Sequence, residues 1–399
     1  MSSETQIILK KNEARRIRAG HLWIFSNEVD PARTNLKALT PGQEVEILDD
    51  NGKFLGHGYA NPHSLICARL VSRDKKYRLD KSLLVHRLNI ALSLRQRLFP
   101  QPFYRLVHGE GDNLPGLVID RFGDVVVIQT TTAGMELLLD DVVEAVDKVL
   151  RPEAIVLRND GSLRELEGLE KKVEVVLGDL PEQVVIEENG TRFIVDPLKG
   201  QKTGWFYDHR MNRQRMQAYV EGKRVLDVFS YIGAWGVQAA MAGAADVMCV
   251  DSSGPALDLA YANAELNGVQ ERVAMLEGDA FEALKALREE REKFDVVVLD
   301  PPAFIKRKKD AGRGLEAYER INRMAMQVLE RDGILISASC SHHLQRDKLS
   351  DLMLKGARHI DREMQLLEEG HQGPDHPIHP AIPETRYIKS FTARLLPAH

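Results

Sequence analysis

From about Pro197 onward, strand and helix patterns alternate along the chain. This alternation predicts a parallel sheet that is covered by helices on both faces, which is a doubly wound α/β fold. The predicted parallel strands are residues 224–228, 245–251, 273–277, 294–300 and 333–339. Two further strands are predicted at 363–368 and 387–395, and the second follows a stretch too short for a crossover helix. We therefore expect that last strand to pair antiparallel.

The first half of the chain does not show this regular alternation of strand and helix. Residues 5–75 predict a small β-rich module, with strands at 44–48, 54–59 and 65–71 and a hairpin signal at Asn51-Gly52. A helix is predicted from Lys11 to Ala19, with Gly20 as the residue that ends it. Next come a predicted helix over 80–98, strands at 118–120, 125–129 and 154–158, and a helix over 135–150. We predict three domains: a PUA-like, β-rich domain over 1–78, a central α+β domain over 79–196, and the α/β domain over 197–399.

Composition narrows the class of protein. The chain has 399 residues, of which 43% are hydrophobic and 28% charged, and we find no apolar run long enough to span a bilayer. Three widely spaced cysteines argue against a disulfide framework and favour a reducing compartment, so we expect a cytoplasmic protein without a membrane partner. The first residues lack the features of a signal peptide.

Local charge favours a polyanionic partner although the net charge is −5. One basic run covers residues 10–21 and includes Arg15, Arg16 and Arg18. A second run follows Pro302 and begins at Lys306. Each run alone could be a solvated face, but two together favour contacts with nucleic-acid phosphates.

Acidic residues stand at successive strand ends of the predicted sheet. Asp227 lies at the end of the first strand and is followed by Phe229 and a turn at Gly233. A glycine turn brings backbone amides close to a ligand. Asp251 ends the second strand, where a carboxylate can accept both ribose hydroxyls, and Asp279 follows the third strand, beside an expected adenine ring. For Asp251, the alternative is a carboxylate that only caps the next helix.

Cys340 follows the fifth predicted strand, so its thiol should face the ligand crevice, where a thiolate can act as a nucleophile. The fourth strand ends at Asp300-Pro301-Pro302, with Phe304 placed to stack on a flipped base. This combination suggests covalent methyl transfer to a pyrimidine ring carbon: the thiolate adds to C6, and Asp300, protonated or sharing a proton, assists at N3. The base that removes the C5 proton could be water or Asp300.

The motif ladder of Asp227, Gly233, Asp251, Asp279 and Asp300 resembles that of class I S-adenosylmethionine-dependent methyltransferases. The stretches 18–25, 108–117, 200–210, 375–377 and 384–389 resemble the bacterial 23S rRNA (cytosine-C5) methyltransferase family with an N-terminal PUA domain. The resemblance implies an RNA-binding PUA domain, S-adenosyl-L-methionine as cofactor, Cys340 as nucleophile, and 23S rRNA, naked or in early assembly, as partner. It also implies that Lys202, Phe206, Asp208 and Arg210 line the cofactor side, and it leaves a homodimer open.

Departures from that family keep two other functions open. Many RNA cytosine-C5 methyltransferases carry a second cysteine beside the motif IV aspartate, but this chain has Asp-Pro-Pro-Ala there. Such loops also occur in enzymes that methylate nitrogens, so N-methylation of an rRNA purine is one alternative. A non-catalytic RNA-binding assembly factor is another. Cys67 and Cys249 read as core thiols. No metal is expected, since the histidines lack ligand spacing.

Overall fold

The computed structural model describes residues 5–398, which divide into two compact units. Unit 1 comprises Met1–Val184, Val195–Tyr207 and Pro374–Thr385, and unit 2 comprises Val185–Ile194, Asp208–Gly373 and Arg386–His399. Within residues 5–398, no helix has both the length and the apolar character needed to cross a membrane.

The first sheet of unit 1 has strand order β1-β3-β4-β5-β2. Its elements are β1 (Gln6–Ile8), α1 (Ala14–Arg18), β2 (Trp23–Phe25), β3 (Glu44–Leu48), β4 (Phe54–Ala60) and β5 (Ile66–Ser72). The three predicted strands are confirmed to within a residue. The helix is shorter than predicted because Asn12 has φ of 71°, which a right-handed helix cannot include. Gly20, with φ of 110°, ends the helix as expected.

The second sheet of unit 1 has strand order β10-β9-β8-β7-β6. Its elements are α2 (Lys81–Leu98), β6 (Phe103–His108), β7 (Leu117–Phe122), β8 (Val125–Thr130), α3 (Ala133–Leu137), α4 (Leu139–Leu150), β9 (Ala154–Asn159), α5 (Leu163–Leu166) and β10 (Lys172–Gly178). The single helix predicted over 135–150 is wrong. The chain leaves helical geometry at Leu138 (ψ of 11°), whose amide bonds to the carbonyl of Met135, only three residues back.

Unit 2 is built on a seven-stranded sheet with order β15-β14-β13-β16-β17-β19-β18. The hairpin β11 (Val184–Glu188) and β12 (Thr191–Val195) precedes it. The remaining elements are α6 (Arg210–Met216), β13 (Arg224–Val228), α7 (Gly236–Met241), β14 (Asp246–Asp251), α8 (Gly254–Leu266), β15 (Val273–Glu277), α9 (Ala280–Glu289), β16 (Phe294–Leu299), α10 (Ala311–Gln327), β17 (Leu329–Ser339), α11 (Arg346–Arg358), β18 (Arg362–Gly370) and β19 (Lys389–Pro397).

Pairing in this sheet confirms the predicted topology. Strands β13 to β17 are parallel, and β19 runs antiparallel to β17 with Ser339 opposite Lys389. The central strands are apolar and buried along their length because helices cover both faces of the sheet. Fully burying each Val or Leu side chain contributes about 1.5–3 kcal/mol, and this core fixes the strand ends. Asp227, Asp251, Asp300 and Cys340 all lie at the carboxyl-terminal edge that results.

Candidate active site

The turn after β13 depends on glycine at two positions. Gly233 has φ of 82°, and a Cβ there would lie 2.9 Å from a methyl carbon of Val237. A Cβ on Gly236 would lie 2.5 Å from the Cys249 sulfur. Phe229 and Tyr231 have φ of 67° and 50°, which is costly for residues with side chains and is typical of functional loops. The turn is therefore a strained, close-packed loop at the strand edge.

Asp227 is fully buried beneath that turn. Its Oδ2 accepts a hydrogen bond from the Gly236 amide at 2.8 Å, while Oδ1 has no partner among residues 5–398. Burial, with the charges of Asp300 and Asp251, raises the pKa of Asp227 to about 7 despite the Gly236 bond. A buried carboxylate oxygen without a partner is costly, and a cationic ligand group would compensate for it. This orphaned oxygen fits the ammonium group of S-adenosylmethionine.

Asp251 and Asp279 are both held by backbone amides. The two Asp251 oxygens accept from Tyr231 N at 2.9 Å and from Ser253 N at 3.0 Å, so this carboxylate ties the turn to the start of α8. Asp279 caps α9, with Oδ1 accepting from Phe281 N and Glu282 N. The capping alternative for Asp251 is wrong, because the side chain that caps α8 is that of Ser253. Both Asp251 oxygens keep lone pairs that a ribose could use.

Phe304 belongs to an aromatic cluster. Its ring centroid lies 4.8 Å from that of Tyr318, 6.1 Å from Phe281 and 6.2 Å from Phe229. Phe229 and Phe281 flank the predicted cofactor residues Asp227 and Asp279, so Phe304 is placed beside that pocket. Its role in stacking a flipped base stays a prediction.

Asp300, the first residue after β16, pairs with two side chains that sequence reasoning missed. Trp235 Nε1 donates to Asp300 Oδ2 at 3.0 Å, and His209 Nε2 lies 3.4 Å from Oδ1. Burial alone would raise the pKa of Asp300, but the His209 charge and these bonds lower it. Burial alone would lower the pKa of His209, but Asp300 raises it. The carboxyl group is thus held ionised, and the proton of the pair belongs to His209.

Cys340, the first residue after β17, has a buried lysine behind it. Lys389 is 7% exposed, and its Nζ donates to the Ser341 carbonyl at 2.5 Å. Burial lowers the pKa of Lys389 to about 8, an effect that the charge of Cys340 opposes. Ser341 Oγ donates to the Ile305 carbonyl at 2.8 Å, which ties the cysteine loop to the Asp300-Pro301-Pro302 loop. Cys67 and Cys249 are buried as expected, while Cys340 is half-buried.

Two of the residues expected on the cofactor side, Asp208 and Arg210, lie in unit 2. Asp208 accepts a hydrogen bond from Tyr387 Oη at 2.8 Å. Arg210 and Arg213 surround the buried Glu188, with Arg213 at 2.5 Å and Arg210 at 3.5 Å. This ion cluster gives Arg210 a structural partner. Lys202 and Phe206 lie in unit 1, where Lys202 Nζ is 4.7 Å from the Phe206 ring centroid.

The residues predicted to contact RNA differ in their exposure and in whether they already pair with other side chains of the protein. Arg16 is engaged within unit 1: it pairs with Glu28 at 2.6 Å and donates to the Trp23 carbonyl. Arg18 pairs with Asp49, and Arg15 is exposed. Lys306 and Pro302 are exposed in unit 2, whereas Pro301 is buried. Within residues 5–398, no group of three or more His, Cys, Asp or Glu residues could hold a metal ion.

Sequence signals for the missed residues were weak. His209 lies next to Asp208 in a stretch noted only for its resemblance, and Lys389 ends another such stretch. Their roles depend on partners far away in the chain. Trp235 lies inside the glycine turn. Tyr318 belongs to no recognisable sequence motif, although its hydroxyl accepts a hydrogen bond from Ser339 Oγ at 2.8 Å.

A seven-stranded sheet with one antiparallel strand, a glycine turn and acidic strand ends defines a class I methyltransferase site. Residues 167–382 match the S-adenosylmethionine-dependent methyltransferase family, and residues 7–73 match a PUA-like domain. The chain therefore belongs to the S-adenosylmethionine-dependent methyltransferases that carry an N-terminal PUA-like domain. The predicted fold class and cofactor are confirmed.

Relatives with similar sequences cover the whole chain. It is 38% identical over 396 residues to ribosomal RNA large subunit methyltransferase I of Erwinia tasmaniensis, covering 98% of this chain and 99% of that protein. It is also 38% identical over 393 residues to the protein of the same name from Photobacterium profundum, covering 97% and 98%.

Solved structures with the same fold are more distant in sequence. A protein from Streptococcus mutans assigned to the S-adenosylmethionine-dependent methyltransferases has a TM-score of 0.83 at 22% identity, covering 98% of this chain and 100% of that one. A methyltransferase-like protein in complex with S-adenosylhomocysteine has a TM-score of 0.84 at 23% identity, with the same coverage. These likenesses support the fold.

Proposed function

We propose that this protein methylates carbon 5 of a cytosine in large-subunit rRNA and uses Cys340 as a covalent nucleophile. The rRNA substrate is supported by relatives of that name, which match nearly the full chain. The PUA-like match at residues 7–73 supports an RNA partner. We further propose the domain boundaries 1–78, 79–196 and 197–399, with the first domain binding RNA.

One observation carries the chemical part of the proposal: Cys340 and Asp300 follow adjacent parallel strands. Leu299 pairs with Ser337, so the segments that follow the two strands leave the sheet at the same edge. Burial first, then the nearby charges of Cys340 and Asp300, raises the pKa of Tyr318 to about 12. A thiol and a carboxylate around one hydroxyl match the two groups that cytosine activation requires.

Lys389 supports a thiolate at Cys340. Its ammonium group is fixed by the Ser341 carbonyl and by the pairing of β19 with β17. A nearby fixed cation favours the ionised thiol, which is the nucleophilic form. Because burial brings its pKa to about 8, Lys389 remains mostly protonated at neutral pH.

The reaction then follows from the residues of the site. The Cys340 thiolate forms a bond to C6 of the cytosine, the C5–C6 π pair becomes a C4–C5 double bond, and the C4–N3 π pair moves onto N3, which takes up a proton. Carbon 5 is now an enamine carbon and can act as a nucleophile. Bound S-adenosylmethionine supplies an electrophilic methyl group on a sulfonium. Loss of the C5 proton to a base then returns the electron pair to the ring and expels the thiolate.

The His209–Asp300 pair is suited to the proton at N3. His209 and Trp235 hold Asp300 ionised, so the carboxylate can share a proton with N3 while the thiolate adds and take that proton back afterwards. Asn212 Nδ2 donates to His209 Nδ1 at 3.0 Å, so Nδ1 accepts and the ring presents its Nε2–H to Asp300. We therefore propose that Asp300 acts by sharing a proton rather than as a fully protonated acid.

Nucleoside mass spectrometry tests this function. Large-subunit rRNA from a deletion strain is incubated with the enzyme and S-adenosylmethionine, digested, and searched for 5-methylcytidine. The proposal predicts that 5-methylcytidine appears with wild type and not with Cys340→Ser. An N-methylated purine made equally by both proteins would instead establish nitrogen methylation with Cys340 as a bystander.

A further inference from the structure

We infer that a cleft in unit 1 binds a single-stranded segment of the RNA substrate. The cleft has a volume of about 740 Å³ and lies between the end of β5 and the first turns of α2. Residues 72–90 supply its walls, so it is built by unit 1 alone. The inference rests on the proposed RNA substrate.

Cations dominate the walls of this cleft. It is lined by Arg73, Lys76, Arg78 and Arg87 against Asp74 and Asp80. Both carboxylates already serve the backbone: Asp74 Oδ1 accepts from Lys76 N at 2.9 Å, and Asp80 Oδ1 caps α2 through Leu83 N at 2.9 Å.

Two of the arginines are fixed by carbonyl oxygens rather than by carboxylates. Arg87 donates to the carbonyls of Val71 and Asn113, and Arg73 donates to that of His21 at 3.1 Å. Neither has an ion pair in the part of the chain that the structure describes. Burial lowers the pKa of Arg87 to about 10, so it stays charged at neutral pH. A half-buried, oriented guanidinium without a counter-charge suits a phosphate group.

The same cleft exposes apolar surface that a base could cover. Tyr77 is 60% exposed and Ile90 is 58% exposed. An aromatic ring beside oriented cations is the usual arrangement for binding single strands, since bases stack while phosphates pair. The volume suits a nucleotide-sized group. Duplex RNA would hide its base faces from Tyr77, which is why we assign a single strand.

The test measures RNA binding by fluorescence anisotropy with the full-length protein. Tyr77→Ala should weaken binding of a single-stranded rRNA fragment roughly tenfold through lost stacking, with an unchanged salt slope, and Tyr77→Phe should bind normally. Lys76→Glu should lower the salt slope by about 0.7 or more. The matched control is Lys148→Glu, a charge reversal at an exposed position of α4 in unit 1, which should change little. Arg87 is left intact because it holds the backbone.

Three results would overturn the cleft assignment. One is wild-type affinity in both Tyr77→Ala and Lys76→Glu. Another is an equal loss in Tyr77→Ala for a duplex of the same sequence, and the third is competition by a free nucleoside monophosphate, which would indicate a small-molecule site. Methylation assays separate this inference from the proposed function. If the cleft variants lose RNA affinity but wild type transfers no methyl group to RNA, the cleft stands and the proposed reaction fails.

Discussion

His209 Nε2 lies 3.4 Å from Asp300 Oδ1, although the two residues belong to different elements of unit 2. Their pKa values move in opposite directions, with that of Asp300 below 3.8 and that of His209 above 6.5. The buried His209 and the partly buried Asp300 therefore form a pair that can hold a proton at the end of β16, directly beside the loop that carries Pro301.

The pH dependence of stability reports on this pair. The Asp300 contribution is present above its unfolded pKa of 3.8 and is lost as pH falls through the lowered value. The His209 contribution is full below its unfolded pKa of 6.5 and is lost as pH rises through the raised value. His209→Gln should therefore destabilise most between pH 3.8 and 6.5, by about 1.5–3 kcal/mol. Urea unfolding across pH measures this, with the exposed His343→Gln as control, and a pH-independent difference would contradict it.

The raised pKa of Asp227 predicts that cofactor affinity depends on pH. Its folded pKa of about 7 lies above the ordinary 3.8, so the stability it provides is full below pH 3.8 and is lost as pH rises through 7. A cationic ligand group should draw off its proton, so S-adenosylmethionine binding at pH 6 should release a proton and tighten as pH rises. Calorimetry in two buffers with different ionisation enthalpies counts that proton.

Asp227→Asn is the matched variant. It should release no proton and bind S-adenosylmethionine roughly ten- to a hundredfold more weakly, because a charge-assisted hydrogen bond is lost. The apoprotein should nevertheless gain stability relative to wild type above pH 7, since the burial cost of a carboxylate disappears. Unchanged affinity in this variant would assign the ammonium group elsewhere.

Asp251 can be tested against the ribose itself. Asp251→Asn should weaken cofactor binding by about 1.5–3 kcal/mol. Because Asp251 also holds the Tyr231 and Ser253 amides, the loss alone does not identify its ligand. Calorimetry of wild type and variant with a cofactor analogue that lacks one ribose hydroxyl shows whether the carboxylate and the hydroxyl interact. If removing the hydroxyl weakens binding by the same factor in the variant as in wild type, Asp251 only anchors the loop.

Lys389 should set the reactivity of Cys340. Since Cys67 and Cys249 are buried, alkylation by iodoacetamide reports Cys340. In Lys389→Met, the alkylation rate at pH 7 should fall about tenfold and its pH profile should shift upward by about one unit, because a fixed cation is lost. Lys348→Met, at an exposed position of α11, is the control. Identical profiles in the two variants would remove Lys389 from the mechanism.

Local patterns predicted much of this fold. Strands such as Arg224–Val228 and Phe294–Leu299 were predicted at or within one residue of their observed bounds, because buried parallel strands are mostly apolar along their length. The acidic strand ends were also visible, since a parallel sheet brings them to one edge. Long-range pairing was not visible. Lys389 approaches Cys340 only through the register of β19 on β17, and Arg210 meets Glu188 only through a hairpin.

A covalent mechanism at Cys340 is tested most directly with an RNA fragment that carries 5-fluorocytidine at the target position. Fluorine cannot leave as the C5 proton does, so the thiol cannot be expelled after methyl transfer. Wild type with S-adenosylmethionine should form an RNA adduct that survives denaturation, and its mass should map to Cys340. Cys340→Ser should keep its cofactor affinity and form no adduct, because a neutral hydroxyl is far less nucleophilic. Normal methylation by Cys340→Ser, or a wild type that methylates the RNA without any adduct, would contradict the mechanism.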